Sequence, residues 1–219
     1  MIAARHSVAG SGGLPFGAKE VQWLDTAQGT SVDTGVDCSS LDFVVRTVSI
    51  PSMRFGWAHQ FDGGGTWILV DGTDASGSFL VAWGSLADGS NTRVPGVFSD
   101  GMPHEIVFDS RSGLYIDGSK RLDFAVPATV KDSIEGVPLT LFDIYDFNKQ
   151  GVQEDSPPTR FFAASVTVDG VLLRDYVPVR VGDLGCLYDR VTKQIVECDS
   201  GSFAAGPDKT SNSSGAVNA

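Results

Sequence analysis

Glutamate is scarce in this chain: 5 residues against 22 aspartates in 219. Helices use glutamate, whereas aspartate favours turns, where its carboxylate bonds nearby backbone N–H groups. Histidine and cysteine are rarer still, with three of each. His6, His59 and His104 have no spacing that suggests metal ligation. Cys38, Cys186 and Cys198 contain no Cys-x-x-Cys pair, which removes the usual zinc and redox motifs. A Cys186–Cys198 bridge across a hairpin is one reading of the thiols; three buried or free cysteines is the other. No apolar run approaches the roughly 20 residues of a membrane helix, and residues 1–13 lack the apolar centre of a signal peptide. Positive charge is short as well: 16 Lys and Arg against 27 acids leave a net −11. Such a surface repels phosphate backbones and anionic headgroups, so no nucleic acid partner and no membrane insertion are expected.

What the chain does have is short apolar runs separated by turns. "DFVVRTVSI" (42–50), "TWILV" (66–70), "HEIVFD" (104–109), "RFFAASVTV" (160–168) and "VLLRDYVPV" (171–179) are rich in β-branched and aromatic residues. Six Asp-Gly pairs, at 62–63, 71–72, 88–89, 100–101, 117–118 and 169–170, repeat a turn signal. This spacing predicts an all-β sandwich or barrel, with one short helical turn within 128–136. Residues 1–13 and 207–219 are small and polar and read as a flexible linker and tail, leaving 14–206 as one domain.

The two ends carry a resemblance. "LPFGAKEVQWLDTAQGTSVDTGV" (14–36) and "FFAASVTVDGVLLRDYVPVRVGDLGCLYDRVTKQIVECDSGSFAAGP" (161–207) resemble the terminal signatures of laminin-G-like, concanavalin A-like lectin/glucanase domains of phage structural and gut-bacterial surface proteins. The Gly29–Gly35 stretch is one residue short of that pattern, and Cys186 stands where a small residue is usual. The resemblance implies a two-sheet antiparallel jelly roll whose terminal segments pair. It further implies an extracellular-facing module on a virion or bacterial surface, with a glycan or other protein subunits as partners. Such folds host lectins, hydrolases and structural modules alike.

Catalytic motifs are missing. The glucanase Glu-x-Asp-x-x-Glu starts at Glu197 and fails at Ser202, and there is neither a Gly-x-Ser-x-Gly elbow nor a P-loop. A non-catalytic role is therefore expected. Calcium is the one cofactor the residues suggest: Asp143, Asp146, Asn148 and Asp155 cluster in "FDIYDFNKQGVQED" (142–155), with a solvated acidic loop as the alternative. For sugar stacking, Trp57 beside Gly56, followed by His59, Gln60 and Asp62, is the best candidate, while Trp67 and Trp83 read as core.

One carboxylate asks for a structural explanation. In "VTVDGVLLRDYVPVR" (166–180), strict alternation puts Asp175 on one face with Val171, Leu173, Val177 and Val179. An inward carboxylate needs donors. Asp175 is thus expected to pin the loop "GDLGCLYD" (182–189) to the sandwich, with Arg174, Tyr188 and Asp189 as structural neighbours.

Overall fold

The computed structural model describes residues 13–209 except 16, 40–41, 52, 62–63, 74–77, 85–89, 96–97, 99 and 133; within 58–61, 64–67 and 71–73 only the backbone is described. Two sheets face each other across one core. The larger runs β11 (Ser119–Leu122), β10 (Gly113–Ile116), β9 (His104–Asp109), β4 (Phe43–Ile50), β15 (Arg160–Val168), β16 (Val171–Val181), β17 (Leu184–Asp189), β18 (Gln194–Val196). Beside this path, β1 (Ala18–Glu20) pairs with the end of β16, and β2 (Leu24–Thr26) lies between β15 and β19 (Phe203–Ala205). The smaller sheet runs β14 (Gly151–Val152), β13 (Tyr145–Asp146), β5 (Phe55–Phe61), β6 (Gly64–Thr73), β7 (Phe79–Ala82), β8 (Asn91–Val94); β12 (Thr140–Leu141) joins β5 to β3 (Val32–Asp33). Pairing is antiparallel except between β13 and β5. One short helix, α1 (Ala128–Asp132), falls inside the expected segment.

Alternation builds the core. In β4, Phe43, Val45, Thr47 and Ser49 are buried, while Val44, Arg46 and Val48 look outward. Phe43 stacks on Phe108 at 6.0 Å and meets the edge of Trp57 at 5.9 Å. Such ring pairs contribute about 0.5–1.5 kcal/mol each beyond their buried area. Gly56 is required where β5 closes on β6: its φ is 119°, and a Cβ would lie 2.2 Å from the Ile68 carbonyl oxygen.

The Asp-Gly signal holds at two hairpins. Asp169 and Gly170 (φ 48° and 77°) and Asp117 and Gly118 (φ 49° and 75°) carry the paired positive φ of a type I′ turn. It fails at 71–72, which lies inside β6 at a register shift. The pairs at 62–63 and 88–89 fall outside the described residues.

Asp175 is not where strict alternation places it. Between β15 and β16 the register shifts: Val166 opposes Arg174 and Thr167 opposes Leu172, so Leu173 is an extra residue. This bulge reverses the faces beyond it. Leu173 packs against the main core, as does Tyr176, whereas Val177 and Val179 join Cys186 and Tyr188 in a second cluster on the sheet's other side. Asp175 is half-buried beside that outer cluster, its carboxylate 3.9 Å from Arg190 Nη1.

The pin is Asp189, 1% exposed. Its Oδ1 accepts the Asp175 and Val191 N–H groups, each at 3.0 Å, and its Oδ2 accepts the Thr192 hydroxyl at 2.7 Å. Arg174 Nε lies 3.6 Å from that carboxylate and donates to the Thr34 carbonyl at 2.8 Å. All three cysteines are free, with Cys186 in the outer cluster and Cys198 packed against the main core. Burial pushes the Cys186 thiol up to about 11 and Cys38 up to about 12, so both stay protonated near neutrality.

The chain's ends interlock. β19 pairs with β2, and Pro207–Lys209, expected in the tail, continue that pairing. Gln22 N–H donates to the Pro207 carbonyl (2.8 Å), Val21 bridges Asp208, and Lys209 N–H donates to the Glu20 carbonyl (2.9 Å). Arg180 holds the Asp208 carboxylate with two nitrogens, at 2.5 and 2.9 Å.

Candidate functional site

A cleft of about 460 Å³ opens at the end of the larger sheet where β4 and β16 begin and β9 and β15 end. That volume suits a small ligand or one or two sugar rings. Asp42, Phe43 and Val44 line it from the start of β4 and the residue before it, Asp109, Arg111 and Ser112 from the end of β9 and the turn after it, and Thr167, Asp169 and Gly170 from the end of β15 and its turn. Strand pairing brings these segments together. Asp109 opposes Val44, Val44 opposes Thr167, and Thr167 opposes Leu172, one continuous row across four strands. Cross-strand partners share a face, so the row sets an acid and a hydroxyl beside two aliphatic side chains.

The rim is held by its own polar groups. The Asp169 N–H donates to the Asp42 carbonyl (2.8 Å), and the Asp42 N–H returns a bond to Asp169 Oδ1 (3.2 Å). Lys131 of α1 donates to Asp42 Oδ1 at 2.9 Å, and Arg111 Nε lies 3.4 Å from Oδ2. The Lys131 bond, outweighing the slight burial, holds the Asp42 carboxyl below the usual carboxylate range. Asp109 Oδ1 accepts the Arg111 N–H (2.9 Å), and its Oδ2 accepts the Ser112 hydroxyl (2.6 Å), which also meets the Tyr115 hydroxyl at 3.1 Å. Val171 and Leu172 stand out at the turn, 59% and 46% exposed. Chemically, the cleft offers carboxylate acceptors, hydroxyls and one exposed guanidinium next to an aliphatic shelf. That combination suits the hydroxyls and apolar face of a neutral polyol better than an anion.

The structure does not assemble the residues singled out from sequence. Trp57 is 1% exposed: it alternates with buried Phe55, and its Nε1 donates to the Val137 carbonyl at 3.1 Å. Neither ring face is open to a sugar, which corrects the expectation of a stacking platform. His59 and Gln60 follow on β5 with only their backbones described, and Asp62 lies outside the described residues. Trp83, read as core, is half-buried and stacks on Phe124 at 4.4 Å. Trp23 holds a surface position, with the Arg160 guanidinium 4.5 Å over its ring and Gly206 against it, close enough that a Cβ there would lie 2.7 Å from the indole.

The 142–155 loop closes on an arginine. Asp143 is fully buried; its Oδ1 accepts the Ile144 N–H at 2.8 Å and Arg54 Nη1 at 3.4 Å, and its Oδ2 accepts the Glu154 N–H at 2.8 Å. Arg54 also pairs with Asp155. Asp146 instead caps its own turn, accepting the Asn148 and Lys149 N–H groups. The acids therefore do not converge on one point, and among the described residues no group of three or more His, Cys, Asp or Glu side chains is placed to hold a metal. Burial raises the Asp143 carboxyl above its ordinary value despite the Ile144 N–H and Arg54. The expected calcium cage is not assembled; the solvated-loop alternative describes Asn148, Glu154 and Asp155, which are exposed, but not Asp143, which is sealed in.

Of the cleft, sequence reasoning named only the Asp169-Gly170 turn. Asp42, Asp109 and Thr167 are far apart in the chain, and no linear spacing marks them. Compared with family models, curated proteins and solved structures, the chain matches none.

Proposed function

We propose that this chain is a non-catalytic recognition or structural module that binds carbohydrate or another surface component through the distal cleft. The resemblance to concanavalin A-like domains of phage virions and bacterial surface proteins motivates the ligand class. The observation carrying the reading is the position of the cleft. β16 runs from the cleft at Val171 to the paired end segments at Val181, a span of about 33 Å at roughly 3.3 Å per residue. A module tethered through the interlocked ends presents its polar concavity outward.

The test is a broad glycan and polysaccharide array, probed with the protein and with Thr167→Trp, which fills the cleft without removing one of its rim bonds. Binding that the tryptophan abolishes, at unchanged thermal stability, supports the reading. The exposed Val171 and Leu172 favour a second reading, a purely architectural subunit that packs on other proteins. A clean array from a chain shown to be folded by circular dichroism decides for it.

A further inference from the structure

The connection from β8 to β9 leads from the smaller sheet to the larger, and within it Pro95, Phe98 and Asp100–Pro103 are described. It is fastened at His104, the first residue of β9, whose side chain is 14% exposed. Imidazole Nδ1 lies 2.7 Å from Asp117 Oδ2, in the β10–β11 turn, and Nε2 lies 3.1 Å from Asp100 Oδ1, in the connection itself. Phe98 adds an edge contact to the His104 ring (5.2 Å) and another to buried Phe79 of the smaller sheet (5.8 Å). One ring thus ties a turn of one sheet to the strap between both.

Two carboxylates are acceptors only, and a neutral imidazole carries a single N–H. The neutral ring can satisfy one of them; the imidazolium satisfies both. We propose that His104 is a proton-operated latch, holding the Asp100–Pro103 end of this connection in its charged form and releasing Asp100 when it loses its proton. Asp100 is the side that lets go. Asp117 is further anchored through Oδ1, which accepts the Glu105 N–H at 3.0 Å, whereas among the described residues Asp100 is otherwise bonded within its own loop, at the Met102 N–H (2.9 Å).

Other charges near the latch do not replace the proton. Arg121 acts on Asp117, Glu105 is paired with Arg46 at 2.9 Å, and the cross-strand neighbour Ser49 is neutral with its hydroxyl taken by the Met53 N–H. Burial alone lowers the histidine's pKa, but the bonds to Asp117 and Asp100 overcome it and leave the value above 6.5. A raised base stabilises the closed form fully below its unfolded pKa, and that stabilisation is lost as pH rises through the folded value. Asp100 is held below its usual range by the Met102 N–H and then by His104; Asp117 is held low by His104 and the Glu105 N–H, against burial. Their share is therefore lost only in strong acid. The latch is shut between those limits.

Hydrogen-exchange protection of the Asp100, Gly101 and Met102 amides, corrected for intrinsic exchange, is the measurement, made at pH 6 and pH 8.5. The opening constant rises about tenfold for each unit separating the histidine's closed and open pKa values. His104→Gln, which keeps one donor and cannot titrate, shows no such rise. Asp100→Asn, whose amide can donate to a neutral ring, keeps the segment protected at pH 8.5. An NMR titration places the His104 transition above 6.5. Equal pH dependence in His104→Gln, or a His104 transition at or below 6.5, overturns the latch.

Discussion

The buried aspartates and the cleft aspartates are answered by different partners. Asp189 and Asp143 are sealed in, and each gathers adjacent and more remote backbone N–H groups together with an arginine. Asp42, Asp109 and Asp169 ring an open concavity: Asp109 is bound by its own turn, Asp169 by the Asp42 N–H, and Asp42 by two long cations. An interior carboxylate left without its donors costs far more than a surface one, so the first set holds the fold and the second is free to serve a ligand.

The comparison breaks most readily at Asp189. Asp189→Ala removes the acceptor for two N–H groups, a hydroxyl and the Arg174 charge, with an expected loss of about 3 kcal/mol in urea unfolding. Asp143→Asn comes next, at about 2 kcal/mol near neutrality, because an amide cannot accept both backbone N–H groups. It also changes the pH profile. The Asp143 carboxyl is raised above 3.8 by burial, so its neutral form stabilises the fold below that pH, and this is lost as pH rises through the folded value. Asparagine flattens that part of the curve. Asp175→Ala is expected to cost about 0.5 kcal/mol or less, since its carboxylate is partly solvated and its nearest cation is 3.9 Å away. A loss at Asp175 as large as at Asp189 would return the pin to the residue that alternation chose. Thr167→Trp should move stability least while abolishing any binding at the cleft.

The sandwich was legible because period-2 alternation and Asp-Gly turns are local signals. They place β4, β9, β15 and the two type I′ hairpins directly. The bulge at Leu173 has no such signature: nothing in "VLLRDYVPV" marks the extra residue, and one slip exchanges Asp175 for Asp189 as the buried acid. Trp57 was misplaced for a related reason. Polar His59 two residues on suggested an open face, when Phe55 two residues back already marked the core. The calcium reading counted acids and could not foresee Arg54, which is separated by 89 positions from Asp143. The cleft is a product of register between four strands, and register is set by packing rather than by neighbours in sequence.

The interlocked ends have a mechanical consequence. Residues 203–209 run antiparallel to 20–26, so Glu20 and Lys209 lie at the same end of that pairing, with β1 continuing along β16. Tension applied there loads the rungs in turn, Lys209 to Glu20, Asp208 to Val21, Pro207 to Gln22, Gly206 to Trp23. It does not shear them together. The Arg180–Asp208 clasp goes with the second rung, and the core behind β2 is reached only after the last strand has peeled from its partner.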